Sequence, residues 1–151
     1  DKLHKPLNGA LSLLVPDESQ RLKQLIEVRL ALEPENARLA AERATTADLN
    51  ALTACHERFE AACTFEAQVE ADMTFHCLLA EASGNKIAAL LIQSLAELLQ
   101  TSLKHGYSRV TKDLAVADHA KILRAILDRR PAAAAKAMRT HLEHARTDLG
   151  L

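Results

Sequence analysis

The sequence predicts an all-α fold, an antiparallel bundle of six to seven helices. Three observations predict it. The 151 residues include only four Gly and four Pro, few for a chain that must turn often. Long stretches rich in Ala, Leu, Glu, Lys and Arg favour helix over strand. Apolar residues make up 48% of the chain, yet there are three Phe, one Tyr and no Trp, so Leu, Ala and Ile must fill the core. A single domain of this length buries roughly 70% of the surface its unfolded chain exposes.

The elements follow in order. Residues 1–18, with Pro6, Gly9 and Pro16, read as an irregular linker. A helix is expected from Ser19 to Leu32, with Leu22, Leu25, Ile26 and Arg29 on one side. Pro34 should break it, leaving a short helix from Glu35 to Ala44, because proline supplies no N–H and crowds the preceding turn. Thr46 is the expected N-cap of a third helix reaching Ala62. A fourth runs from Thr64 to Ala82 and stops at Ser83-Gly84-Asn85, with Asn85 a helix cap. A fifth runs from Lys86 to His105, closed by Gly106, and a sixth from Lys112 to Asp128. Pro131 takes the first position of a seventh that reaches Leu149. The short connections predict antiparallel neighbours.

Charge excludes some partners. The formal net charge is −1, but residues 1–100 carry −6 and residues 101–151 carry +5. Such a dipolar distribution helps an anion reach the C-terminal half. It is too weak to mark a nucleic-acid surface, and no basic cluster is interleaved with aromatic residues. The three cysteines, Cys55, Cys63 and Cys77, form no CxxC pair and read as reduced thiols of a cytoplasmic protein. No apolar run spans a bilayer and no signal peptide is visible, so no membrane partner is expected.

The stretch Asp72-Met73-Thr74-Phe75-His76 carries the chemistry. Asp72 and His76 are one helical turn apart and fall in a gap of the apolar stripe Phe65, Val69 and Leu79. A core normally excludes an unpaired carboxylate. His119 shares the apolar side of its helix with Ala115, Ile122, Leu123 and Ile126, and His141 shares that of Met138, Ala145 and Leu149. One carboxylate and three imidazoles suit a divalent transition metal, with zinc first and nickel, manganese or iron as alternatives. Periodicity leaves a second reading open, an ordinary hydrogen-bonded polar core. His56, beside Leu52 and Phe59, and His105, near Leu98 and Ser102, show that the helical stripes of this chain tolerate histidine.

The combination DMTFHCLLAEASGN (72–85) and DHAKILRAILDRRPAAAAKAMRTHL (118–142), preceded by IEVRLALEPENARLAAERAT (26–45), resembles the ligand-binding C-terminal (FCD) domain of the FadR subfamily of GntR-type bacterial transcription regulators. The resemblance covers nearly the whole chain from about Leu11. It implies a helical bundle with a metal and effector pocket in its interior, whose metal ligands are Asp72, His76, His119 and His141. It implies a small carboxylate or sugar-acid effector, with Arg29 reaching the pocket and Tyr107 and Arg109 as further effector contacts. A salt bridge from Arg29 to Glu33 is the competing role for that arginine. It also implies a homodimer that reaches operator DNA only through an N-terminal winged-helix domain. On this reading residues 1–18 are the tether from that missing domain, residues 19–151 are the ligand-binding domain, and the abrupt start at Asp1 marks a fragment. The expected function is metal-assisted metabolite sensing without catalysis, in the cytoplasm. The alternatives are an all-α metal-dependent hydrolase, for which Glu70 and Glu81 lie off the inward face, and a dimerisation module with a structural metal.

Overall fold

The computed structural model describes the backbone of residues 4–102 and 109–151 and the side chains of residues 9–100 and 112–151. The described residues form seven helices and no strand: α1 (His4–Leu14), α2 (Glu18–Arg43), α3 (Thr46–Ala61), α4 (Phe65–Ala82), α5 (Lys86–Ser102), α6 (Arg109–Leu127) and α7 (Pro131–Asp148). They pack as an all-α bundle in which α2 lies along α7 and also meets α4, α5 and α6.

Two expectations fail in the N-terminal part. Residues 4–14 are helical, not irregular, and α1 packs on α5. Pro6 sits in the first turn of α1, where backbone N–H groups have no intrahelical partner, so its missing donor costs nothing there. Leu11 joins the apolar cluster of Leu25, Val69, Met73 and Leu99. The second failure is Pro34, which does not end a helix: α2 runs through it for 26 residues. The segments on both sides of Pro34 are held by burial. Ile26, Arg29 and Glu33 before it, and Asn36, Ala37, Ala40 and Ala41 after it, are all buried. That packing outweighs a local cost of about 3 kcal/mol for an interior proline.

The other boundaries follow local chemistry. Thr45, not Thr46, caps α3: its hydroxyl accepts from the Asp48 N–H, and the Asp48 carboxylate accepts from the Thr45 N–H at 2.8 Å, a reciprocal capping box. Thr64 caps α4 by accepting from the Ala67 N–H. Gly84 follows α4 with φ of +75°, a left-handed conformation that glycine adopts without strain. Asn85 Oδ1 then accepts from the N–H groups of Ile87 and Ala88 at the start of α5. Pro131 opens α7. Arg129 reaches back across the bundle and donates to the carbonyls of Ala41 and Ala44, closing the C-terminal end of α2.

The main core joins Phe75, Leu79, Ile122, Ile126, Met138 and Leu142 to the alanines of α2. A second cluster joins α2, α4 and α5. Cys55 is buried and Cys63 exposed, and all three cysteines are free. Among the described residues no helix is long and apolar enough to cross a membrane.

Candidate metal centre

Four side chains from three helices converge inside the bundle. Asp72 and His76 come from α4, His119 from α6 and His141 from α7, and one donor atom from each lies within 4.8 Å of all the others. All four residues are buried, His119 completely. Asp72 Oδ1 is 3.1 Å from His119 Nε2 and 3.4 Å from His76 Nε2, and His76 Nε2 is 3.2 Å from His141 Nε2. For an ion about 2.0–2.2 Å from each donor, tetrahedral or octahedral angles put neighbouring donors roughly 2.9–3.5 Å apart. These separations fall in that range. The donor set, one hard oxygen and three borderline nitrogens, suits a first-row divalent ion.

Electrostatics point the same way. Burial pushes the Asp72 carboxyl up, but the imidazoles of His119 and His76 outweigh it and hold the group well below the usual carboxylate range. Burial drives His119 down to about 3, leaving a neutral ring that can offer a lone pair. Burial also lowers His141. For His76 burial is opposed by the neighbouring Glu33 and Asp72 carboxylates, and its pKa rises. Neither ring nitrogen of His119 makes a well-aligned hydrogen bond, Nε2 having only the Asp72 carboxylate at 3.1 Å, an arrangement that an ion between the two would satisfy. Its ring is clamped by aromatics, stacked on Phe75 at 4.2 Å between centroids and 5.1 Å from Phe59.

Around these four lie charged groups that sequence reasoning did not assign to the centre. Glu33, fully buried on α2, accepts from His76 Nδ1 at 2.5 Å through one oxygen and from Arg29 Nε at 2.5 Å through the other. Burial raises its pKa, but Arg29 and His76 hold it down to about 2. Asp118 accepts from His141 Nδ1 at 3.2 Å and from His144 Nδ1 at 2.9 Å. Burial raises the Asp118 carboxyl too, and the two histidines overcome this and lower it. The i,i+4 spacing of Arg29 and Glu33 gave the first of these a trace in the sequence. Asp118, the neighbour of a candidate ligand, gave none that periodicity could separate from an exposed helix residue.

A cavity of about 50 Å³ opens beside the centre. Ile26, Met73, Leu99, Leu114 and Leu149 give it apolar walls, and Arg29, Asp72, Asp118, His141, His144 and Asp148 give it polar ones. The salt bridge of Arg29 to Glu33 and its place on the cavity wall are therefore compatible, since the bridge uses one of five guanidinium donors. Tyr107 lies outside the described residues, as do Gly106 and His105. Arg109 opens α6, and its side chain also lies outside them. His56 is not at the centre: it pairs with Glu60 on its own helix at 2.7 Å.

The family model of the FCD domain matches residues 24–144. The chain is 31% identical over 147 residues to the Glc operon transcriptional activator of Escherichia coli K12, covering 90% of this chain and 58% of that protein. It is 32% identical over 149 residues to the HTH-type transcriptional regulator LutR of Bacillus subtilis, covering 94% and 66%. It is 30% identical over 146 residues to the putative L-lactate dehydrogenase operon regulatory protein of Escherichia coli K12, covering 92% and 55%. The chain thus spans between half and two thirds of the length of these relatives. A solved structure of Streptococcus agalactiae GntR superposes with a TM-score of 0.73 at 29% identity, over 82% of this chain and 57% of that one.

Proposed function

The chain belongs to the FCD domain family of GntR-type transcription regulators, and from that premise we propose that it senses a small carboxylate with the help of a divalent metal held by Asp72, His76, His119 and His141. It is a regulatory domain, not an enzyme, as its family and the names of its relatives agree. The observation that carries the proposal is a set of four buried donor atoms within 4.8 Å of one another, two of whose residues, Asp72 and His141, line a cavity that Arg29 also lines. When bound, a divalent ion supplies Lewis-acid positions for the oxygens of an acid. Arg29 supplies the planar fork that suits a carboxylate, and the apolar walls suit a short carbon skeleton. One relative's name refers to an L-lactate dehydrogenase operon, so a small hydroxy acid is the first effector to try. Zinc is the first metal to try.

The ligands come from three helices, so filling the site changes how α4, α6 and α7 pack. In a homodimer whose winged-helix domains read operator half-sites, that repacking alters the spacing of the two reading heads in the cytoplasm. The effector acts only if it binds the two arrangements with different affinity.

Elemental analysis of the purified domain and of an Asp72→Ala/His76→Ala variant tests the metal. Near-stoichiometric transition metal in the first and none in the second is expected. Equal, negligible metal in both would leave a polar core network and end the proposal. His119→Ala should then lose both the metal and the thermal shift given by L-lactate. Full L-lactate response in that variant would rule out a metal-assisted mechanism.

A further inference from the structure

Two buried carboxylates outside the four-donor set hold matching positions around it. Glu33 Oε1 lies 2.5 Å from His76 Nδ1, and Asp118 Oδ2 lies 3.2 Å from His141 Nδ1. Each carboxylate is itself fixed by a cavity-lining side chain, Glu33 by Arg29 and Asp118 by His144. An ionised carboxylate can only accept, so each ring must donate through Nδ1–H. The neutral ring then carries its lone pair on Nε2. Both Nε2 atoms point to the same place, 3.2 Å apart in rings that stack at 5.1 Å between centroids. Two acceptors facing each other at that distance need a cation or a proton between them. His119 is handled differently: no carboxylate sits behind its Nδ1, and Phe75 and Phe59 orient the ring by packing while Nε2 faces Asp72 at 3.1 Å.

We infer that Glu33 and Asp118 are positioning residues of the centre, which lock His76 and His141 in the Nδ1–H form so that both Nε2 atoms converge on one bound cation. The inference rests on the metal-binding reading only for its last clause. The tautomers themselves are a property of the metal-free protein. A carboxylate behind a ligating histidine fixes the ring and strengthens it as a ligand, and losing one typically costs about 10–100-fold in metal affinity.

The test uses the full domain, Glu33→Gln and Asp118→Asn, with zinc alone as the probe. Histidine ring ¹⁵N spectra of the metal-free wild type should show Nδ1 protonated in both His76 and His141. Asp118→Asn should perturb the His141 ring and leave His76 in place, and Glu33→Gln should do the converse. Competition against a chromophoric chelator should show about 10–100-fold weaker zinc binding in each folded variant. A wild-type ring protonated at Nε2 alone overturns the inference, even if a variant fails to fold. So does zinc affinity unchanged in both variants. Correct tautomers in a wild type that takes up no zinc would remove the function proposed above and the convergence on a cation, and keep only the locking of the rings.

Discussion

The alanine seam between α2 and α7 and the histidine centre, whose donors come from α4, α6 and α7, are stabilised by opposite means. At the seam Ala37, Ala40, Ala41 and Ala134 are buried, and their small side chains let the helices approach closely around Met138 and Leu142. Every atom there gains by leaving water. At the centre Glu33, Asp72, His76, His119 and His141 are just as buried, and each gains only through its neighbours. The comparison teaches that burial alone does not mark a stabilising region in this protein. Cutting the seam should cost stability and spare the chemistry, whereas the centre makes stability depend on protonation.

The largest expected effect on stability is at the seam. Met138→Ala removes a fully buried side chain that packs on α2 and α6. It should cost about 2–5 kcal/mol of unfolding free energy, read by urea titration. Metal stoichiometry should stay that of the wild type. A variant that folds but loses its metal would show that seam and centre are one cooperative unit, not two regions.

A second prediction concerns acid. Glu33 has its pKa lowered from 4.5 to about 2 in the fold, with Arg29 and His76 holding the charge against burial. Its folded pKa is depressed, so its contribution is present above 4.5 and is lost as pH falls through 2. The buried Asp72 and Asp118 carboxyls are shifted in the same direction. His76, whose pKa is raised, has already gained its full contribution below 6.5 and does not alter the slope there. His119, driven down to about 3, and His141, also lowered, stay neutral in the fold while the unfolded chain protonates them below 6.5, so they add to the loss. The metal-free domain should therefore lose stability from about pH 6.5 down to 2, and Glu33→Gln should flatten the part of that slope below 4.5. A pH-independent unfolding curve across this window would mean that the centre opens before it titrates.

These contrasts also explain what the sequence could reveal. The helices after residue 44 were legible because their apolar stripes and stop signals, Ser83-Gly84 and Pro131 among them, act locally. The four inward donors were legible as residues on apolar faces. Pro34 misled because its cost is local and fixed, while the packing that outweighs it comes from α4, α5, α6 and α7, which are distant in sequence. Residues 4–14 misled because Pro6 is harmless in a first turn and harmful only beyond it. Asp118 and Glu33 were not seen as partners of His141 and His76, because such pairs join helices 23 and 43 residues apart and no periodicity reports them.

The smallest expected effect lies at an exposed cap and calibrates both regions. Thr45 and Asp48 form a reciprocal cap at the start of α3, on the exposed surface, touching neither the seam nor the centre. Thr45→Ala removes an acceptor for the Asp48 N–H and leaves a donor of the first turn to water. The expected cost is about 1 kcal/mol, visible as a few degrees of Tm, with metal content and acid slope unchanged. Because α3 packs on α4, which carries Asp72 and His76, the same substitution measures how firmly the centre is insulated from its scaffold. An altered metal content would mean that the end of α3 sets the pitch of α4. In that case the two-region comparison would need a third member, the α3–α4 pair.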